Sequence, residues 1–95
     1  MSTVRINEFH AAADKATELR AFLRGVIEIV ETSPGCVACV LLADREDAAR
    51  LVIVETWESV AAHQAAATRI PPETLAAVRP LLAEPPRGRY YDEIR

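Results

Sequence analysis

Ninety-five residues, 51% of them apolar and 26% charged, leave room for one domain spanning 1–95 and no second one. A chain this short buries only ~60–65% of its unfolded surface, and two cysteines are too few to staple it, so dimerisation is the expected extra support. The net charge of −3, with eleven scattered basic residues, argues against a nucleic-acid partner, and the longest apolar run, Cys36–Ala43, is too short to span a membrane.

Ten of the basic residues are Arg and seventeen positions are Ala, a bias that suits a GC-rich bacterial genome. The opening residues Met-Ser-Thr-Val-Arg-Ile-Asn-Glu hold no apolar h-region and no small-residue cleavage site. A cytoplasmic chain with reduced thiols is the expectation.

Thr3 to Phe9 alternates Val4, Ile6 and Glu8 with Arg5, Asn7 and Phe9, which predicts a strand with neither face wholly apolar. Asp14 is a candidate cap for a helix whose apolar stripe is Ala16, Leu19, Phe22, Leu23, Val26 and Val30. Thr32-Ser33-Pro34-Gly35 ends it. Both alternating sets of Cys36–Ala43 are apolar, so a strand there needs both faces covered. The polar stretch from Asp44 leads to a further strand, Leu51–Glu58, and the two form a hairpin with a long loop. Ser59 can cap a second helix running to Ala67. Pro71-Pro72 breaks that helix and opens another helical stretch to Leu82, bent at Pro80. Arg87 to Ile94 is the last strand, with Tyr90 and Tyr91 on opposite faces.

Strand, helix, strand is thus written twice. This is the α+β, ferredoxin-like split βαβ pattern (βαββαβ): one four-stranded antiparallel sheet, helices on one face, and the second strand at an edge. An edge strand apolar on both faces invites association. The bare sheet face of a second copy would cover it, which predicts a homodimer.

Within this frame a few residues stand out. Glu55 interrupts an apolar strand, and a buried carboxylate demands a partner or a raised pKa. It is a candidate base or substrate contact, or it pairs structurally with an Arg across the dimer; the structural role is the commoner one. Trp57 shares its face of the strand and reads first as a core anchor, second as a pocket contact. His63, six residues on, is either an idle helix histidine or an acid–base group near neutral pH. Asn7 is a polar amide between Ile6 and Phe9 that could hydrogen-bond a ligand hydroxyl. Arg69, before the Pro71-Pro72 break, could close a pocket mouth over an anionic substrate. Tyr90 or Tyr91 could donate to a substrate oxygen, and His10, ending the first strand, is expected to be solvated.

Cys36-Val37-Ala38-Cys39 has the spacing of a redox or zinc motif. On a regular strand, however, residues three apart face opposite ways with Cα atoms ~10 Å apart. No second cysteine pair supports zinc, so both thiols read as small apolar groups and no metal is expected.

The turn Ser33-Pro34-Gly35-Cys36 and the run Val52-Ile53-Val54-Glu55-Thr56-Trp57-Glu58-Ser59, entering a helix with a histidine, resemble the antibiotic biosynthesis monooxygenase family of dimeric α+β barrels. The likeness extends to the closing Arg89-Tyr90-Tyr91 strand. It implies a homodimer and a pocket between helices and sheet that holds a small aromatic phenol or enol together with O2. The implied reaction is a cofactor-independent oxidation of quinol, anthrone or polyketide-like substrates to quinones. Asn7, Trp57 and His63 are then the catalytic candidates, with Arg69, Tyr90 and Glu55 as substrate contacts. Family members more often carry the histidine one helical turn later than His63. Asn7 matches a functional Asn of the haem-degrading branch, but that branch's Trp and His fall near Ala66 and Ala76, so haem is disfavoured. A noncatalytic dimeric module for a small ligand, and an isomerase or cyclase on the same scaffold, are the alternatives.

Overall fold

The computed structural model describes residues 2–94. Its elements are β1 (Thr3–His10), α1 (Ala16–Glu31), β2 (Cys36–Ala43), β3 (Arg50–Trp57), α2 (Val60–Ala67), α3 (Pro72–Val78) and β4 (Arg87–Asp92). A single 3-10 turn, Arg79–Leu81, follows α3. The four strands form one sheet in the order β2-β3-β1-β4, every neighbouring pair antiparallel. Each βα crossover therefore skips one strand, and β2 lies at an edge, as the twofold pattern in the sequence predicts.

The sheet's two faces follow from its register. Glu55 stands opposite Arg5 and Cys39, and Tyr90 opposite Arg5, so these side chains share the inner face. Val4, Ile6, Val40, Leu42, Val52, Val54 and Tyr91 belong to the outer one. On the inner face Leu51 and Ile53 pack against Leu19 and Leu23 of α1, while Val30, Trp57 and Ala66 form a second cluster. Five of these residues, Trp57 among them, are almost wholly enclosed. The full burial of an aromatic and four branched side chains, at roughly 1.5–3 kcal/mol each, makes this the stabilising side of the sheet.

Local chemistry explains where the elements start and stop. Ser59 caps α2, its Oγ accepting from the Ala62 amide at 3.1 Å. Gly35, at φ 86°, ends the α1–β2 turn, and an added Cβ there would lie 2.6 Å from that of Ala62. Pro80 has no amide hydrogen to continue α3, and the chain tightens into the 3-10 turn around it.

Two sequence expectations need correction. Asp14 does not cap α1: it sits at φ 63° in a turn closed by the Lys15 amide on the Ala12 carbonyl, and no side chain caps the helix. Asp tolerates the left-handed region, and that use displaces the capping one. Cys36 and Cys39 are not on opposite faces either. A bulge between Cys36 and Ala38 inserts Val37 as an extra residue and resets the alternation, so Cys36 meets Trp57 and Cys39 meets Glu55. Both thiols are free, half-buried and packed on the inner cluster. Burial, with the Glu55 charge second, pushes the Cys39 thiol up to about 12, which keeps it protonated and unreactive.

Candidate active site

The sheet, α1 and the α2–α3 segment enclose a cavity of about 250 Å³. Its walls are apolar for most of their extent, with Phe22, Val26, Ile53 and Ile70 among them, and its charged and polar lining groups are Arg5, Asn7, Glu55, Trp57 and His63. β1 contributes Arg5 and Asn7, two residues apart on one strand face; β3 contributes Glu55 and Trp57 by the same spacing; α2 brings His63 down onto them.

Glu55 is the hub of this group, only 3% exposed. Its Oε1 accepts from Trp57 Nε1 at 2.8 Å and its Oε2 from Asn7 Nδ2 at 3.2 Å. Asn7 is fixed in turn, because Arg5 Nε donates to its Oδ1 at 3.1 Å. Burial raises the Glu55 pKa above the usual carboxylate range, opposed by the Trp57 bond, the Arg5 charge and the Asn7 bond in that order. The lone carboxylate in an apolar strand thus has hydrogen-bond partners within its own chain, Trp57 and Asn7.

His63 is half-buried rather than exposed on the helix surface. Its ring stands edge-on to Trp57, centroids 5.5 Å apart, and edge-on to Tyr90, centroids 5.3 Å apart. Nδ1 is hydrogen-bonded to the Tyr90 hydroxyl, and Nε2 lies 3.9 Å from Glu55 Oε1. Burial first, and the Arg5 charge second, lower its pKa, so the imidazole is neutral at neutral pH. With Nδ1–H donating to the Tyr90 hydroxyl, Nε2 is the unprotonated nitrogen, free to accept a proton.

Of the residues singled out in the sequence, Asn7, Glu55, Trp57 and His63 come together in the cavity wall. Tyr90 stands immediately behind His63, with the Arg5 guanidinium 4.6 Å from its ring centroid. Tyr91 points to the outer face. Trp57, fully enclosed, is core anchor and cavity wall at once. Arg69 is elsewhere: it lies outside the cavity lining, and its guanidinium donates to Ser33 Oγ at 2.8 Å, tying the end of α2 to the turn before β2. His10 is part-exposed and meets Glu84 at 3.1 Å.

Arg5 is the functional candidate that the sequence reading missed. The signal was present, since Arg5 lies two residues before Asn7 and so shares its face. What the sequence does not display is Gly88, opposite Asn7 on β4. A Cβ at that position would collide with the Arg5 guanidinium and Asn7 Oδ1, so the bare glycine makes the space in which Arg5 lies. Among the described residues no group of three or more His, Cys, Asp or Glu is placed to hold a metal ion, and no helix is long and apolar enough to cross a membrane.

A split-βαβ domain with a polar cluster at one end of an apolar cavity is a small-molecule binding architecture. The sequence makes the class particular: residues 2–79 match the antibiotic biosynthesis monooxygenase family, and the chain belongs to that family. No curated protein is significantly similar in sequence. Among solved structures, Rv0793 of Mycobacterium tuberculosis is 23% identical with a TM-score of 0.85, covering 100% of this chain and 97% of that one. PA3566 of Pseudomonas aeruginosa is 21% identical with a TM-score of 0.86, covering 99% and 95%. SnoaB, a cofactor-independent oxygenase of Streptomyces nogalater, was compared as a point mutant and is 18% identical with a TM-score of 0.82, covering 99% and 94%. At these identities the likeness is one of fold.

Proposed function

We propose that this chain is a cofactor-independent monooxygenase that oxidises a small electron-rich aromatic, a quinol or an anthrone, with O2. For an anthrone the balance is a ring methylene plus O2 giving a ring carbonyl plus water. The substrate supplies all four electrons, and no second reductant is required. The observation that carries this reading is the pairing of a neutral, half-buried His63 with the Arg5 cation at one end of an otherwise apolar cavity. Family membership and the fold shared with a cofactor-independent oxygenase support it.

Each residue then has a task. His63 accepts the phenolic or enolic proton on Nε2, and the Nδ1–H bond to Tyr90 holds the ring in place. Arg5, held by Asn7, offsets the negative charge that appears on the substrate oxygen, and in a site shielded from water that charge counts for far more than in bulk. Glu55 fixes Asn7 and the Trp57 indole rather than touching substrate. The apolar walls hold the ring flat and exclude water while its electron-rich carbon meets O2.

The same reading includes a homodimer. The outer sheet face is apolar at its centre and half-open, with Val40 48% and Leu42 50% exposed, and a second copy supplies a matching surface.

Labelled dioxygen tests the reaction. With an anthrone and ¹⁸O2, in the absence of added metal or cofactor, one labelled oxygen is expected in the product and one O2 is expected to disappear per product formed. Label entering only at the rate of autoxidation would leave a ligand-binding module as the better description.

A further inference from the structure

The apolar wall of the cavity borders a second hollow. Leu75 and Val78 of α3, with Pro86 ahead of β4, also line this hollow of about 570 Å³ bounded by Leu82, Ala83 and Pro85. The two charged residues beside that hollow, Arg79 and Glu84, are exposed. The cavity that holds Arg5, Asn7 and His63 and this apolar hollow thus adjoin each other, with Leu75, Val78 and Pro86 common to both linings.

The packing of α3 points the same way. This seven-residue helix buries none of its residues, and Leu75 is 53% exposed. So short a helix is not stable by itself and depends on tertiary contacts. Val78 packs in part against the core, but Leu75 is left facing the two hollows, an arrangement that a ligand lying along the helix would complete.

We propose that the ligand of this site is an amphiphile: an oxygen-bearing aromatic ring at the Arg5 end and an apolar substituent that runs over Leu75 and Val78 into the second hollow. This rests on the reading of the cavity as the ring's site, and it adds the class of ring substituent and the residues that select it. Leu75, Val78 and Ala83 are the specificity-determining positions.

Menadione and its homologue with a pentyl chain on the vacant quinone carbon serve as probes. Both are already oxidised, so binding is read without turnover, from quenching of Trp57, the only tryptophan. Partial burial of five carbons, each worth roughly fourfold in affinity when fully buried, predicts that the pentyl compound binds at least ~10-fold tighter. Ala83 is exposed, so Ala83→Phe can fill the hollow without disturbing the core, and the ratio of the two affinities is then expected to fall below ~3-fold. Amide exchange over residues 72–78 is expected to slow with the pentyl compound and not with menadione.

Equal affinities in the unmodified protein, with menadione bound, overturn the tail site and leave the ring site standing. An advantage that persists in Ala83→Phe also overturns it. Should Ala83→Phe weaken self-association instead, the hollow belongs to a second copy. If neither quinone binds, the ring site itself is wrong and the tail site falls with it.

Discussion

Along β3 the two faces of the sheet reverse the usual distribution of charge. On β3 the covered face carries Leu51, Ile53, Glu55 and Trp57, a carboxylate among the most enclosed groups of the protein. The half-open face carries Val52, Val54 and Thr56, flanked by exposed Val40 and Leu42. A charge kept under cover and apolar groups left in the open are both unfavourable in an isolated chain. The inner anomaly is resolved within the chain, by Trp57, Asn7 and Arg5, and serves a cavity. The outer one has no such resolution within the described residues, and a second copy is the proposed cover.

The largest effect expected is on the outer face. Val54→Asp puts a charge at its centre, and self-association is expected to weaken by at least ~100-fold, since an uncompensated interfacial charge costs several kcal/mol. Sedimentation of both proteins checks this, and a wild-type chain that sediments as a monomer at tens of micromolar would break the comparison at once. On the inner face, Glu55→Leu strands the Trp57 and Asn7 donors. A loss of about 2–4 kcal/mol in denaturant stability is expected, against roughly 1 kcal/mol for Glu55→Gln, which keeps one acceptor. Equal losses would mean that Glu55 matters for volume and not for its bonds.

Acidity sharpens the same contrast with smaller effects. The folded-state pKa of Glu55 is raised, so its contribution is full below the ordinary carboxylate range and is lost as pH climbs through the raised value. That of His63 is lowered, so its contribution is present above the ordinary histidine value and is lost as pH falls through the lowered one. Stability relative to Glu55→Gln should therefore decline as pH rises above the carboxylate range. Relative to His63→Gln it should decline as pH drops below ~6.5. Urea midpoints across pH read both slopes, and outer-face variants should alter neither.

The smallest effects come from two glycines. Gly35→Ala, at positive φ against Ala62, is expected to cost about 1–2 kcal/mol. Gly88→Ala meets mainly the flexible end of Arg5, so stability should change by less than ~1 kcal/mol while Arg5 and Asn7 are displaced. A drop in ligand affinity with an unchanged melting temperature is the expected signature.

Element order, sheet class and the inward run Glu55, Trp57 were legible because strand alternation and capping are local rules, and Ser59 obeys them. Cys36 and Cys39 escaped because a single extra residue, Val37, shifts the phase, and an apolar run that is uniform on both faces carries no mark of where the bulge falls. Asp14 was misread because capping and the left-handed turn draw on the same residue type. Arg69 was placed at a pocket mouth by its sequence position, whereas its partner Ser33 is 36 residues away and only the folded chain brings them together. Arg5 needed Gly88 beside it, a pairing that strand register creates and sequence order hides.

Oxygen uptake with an anthrone is the most direct measurement of the central claim, that the covered face holds its charges for chemistry. The wild-type protein is expected to consume O2 well above the autoxidation rate, and His63→Ala to lose at least ~100-fold of the excess, as removal of a positioned base does. Uptake equal to buffer alone, or an excess that survives loss of His63, would contradict it.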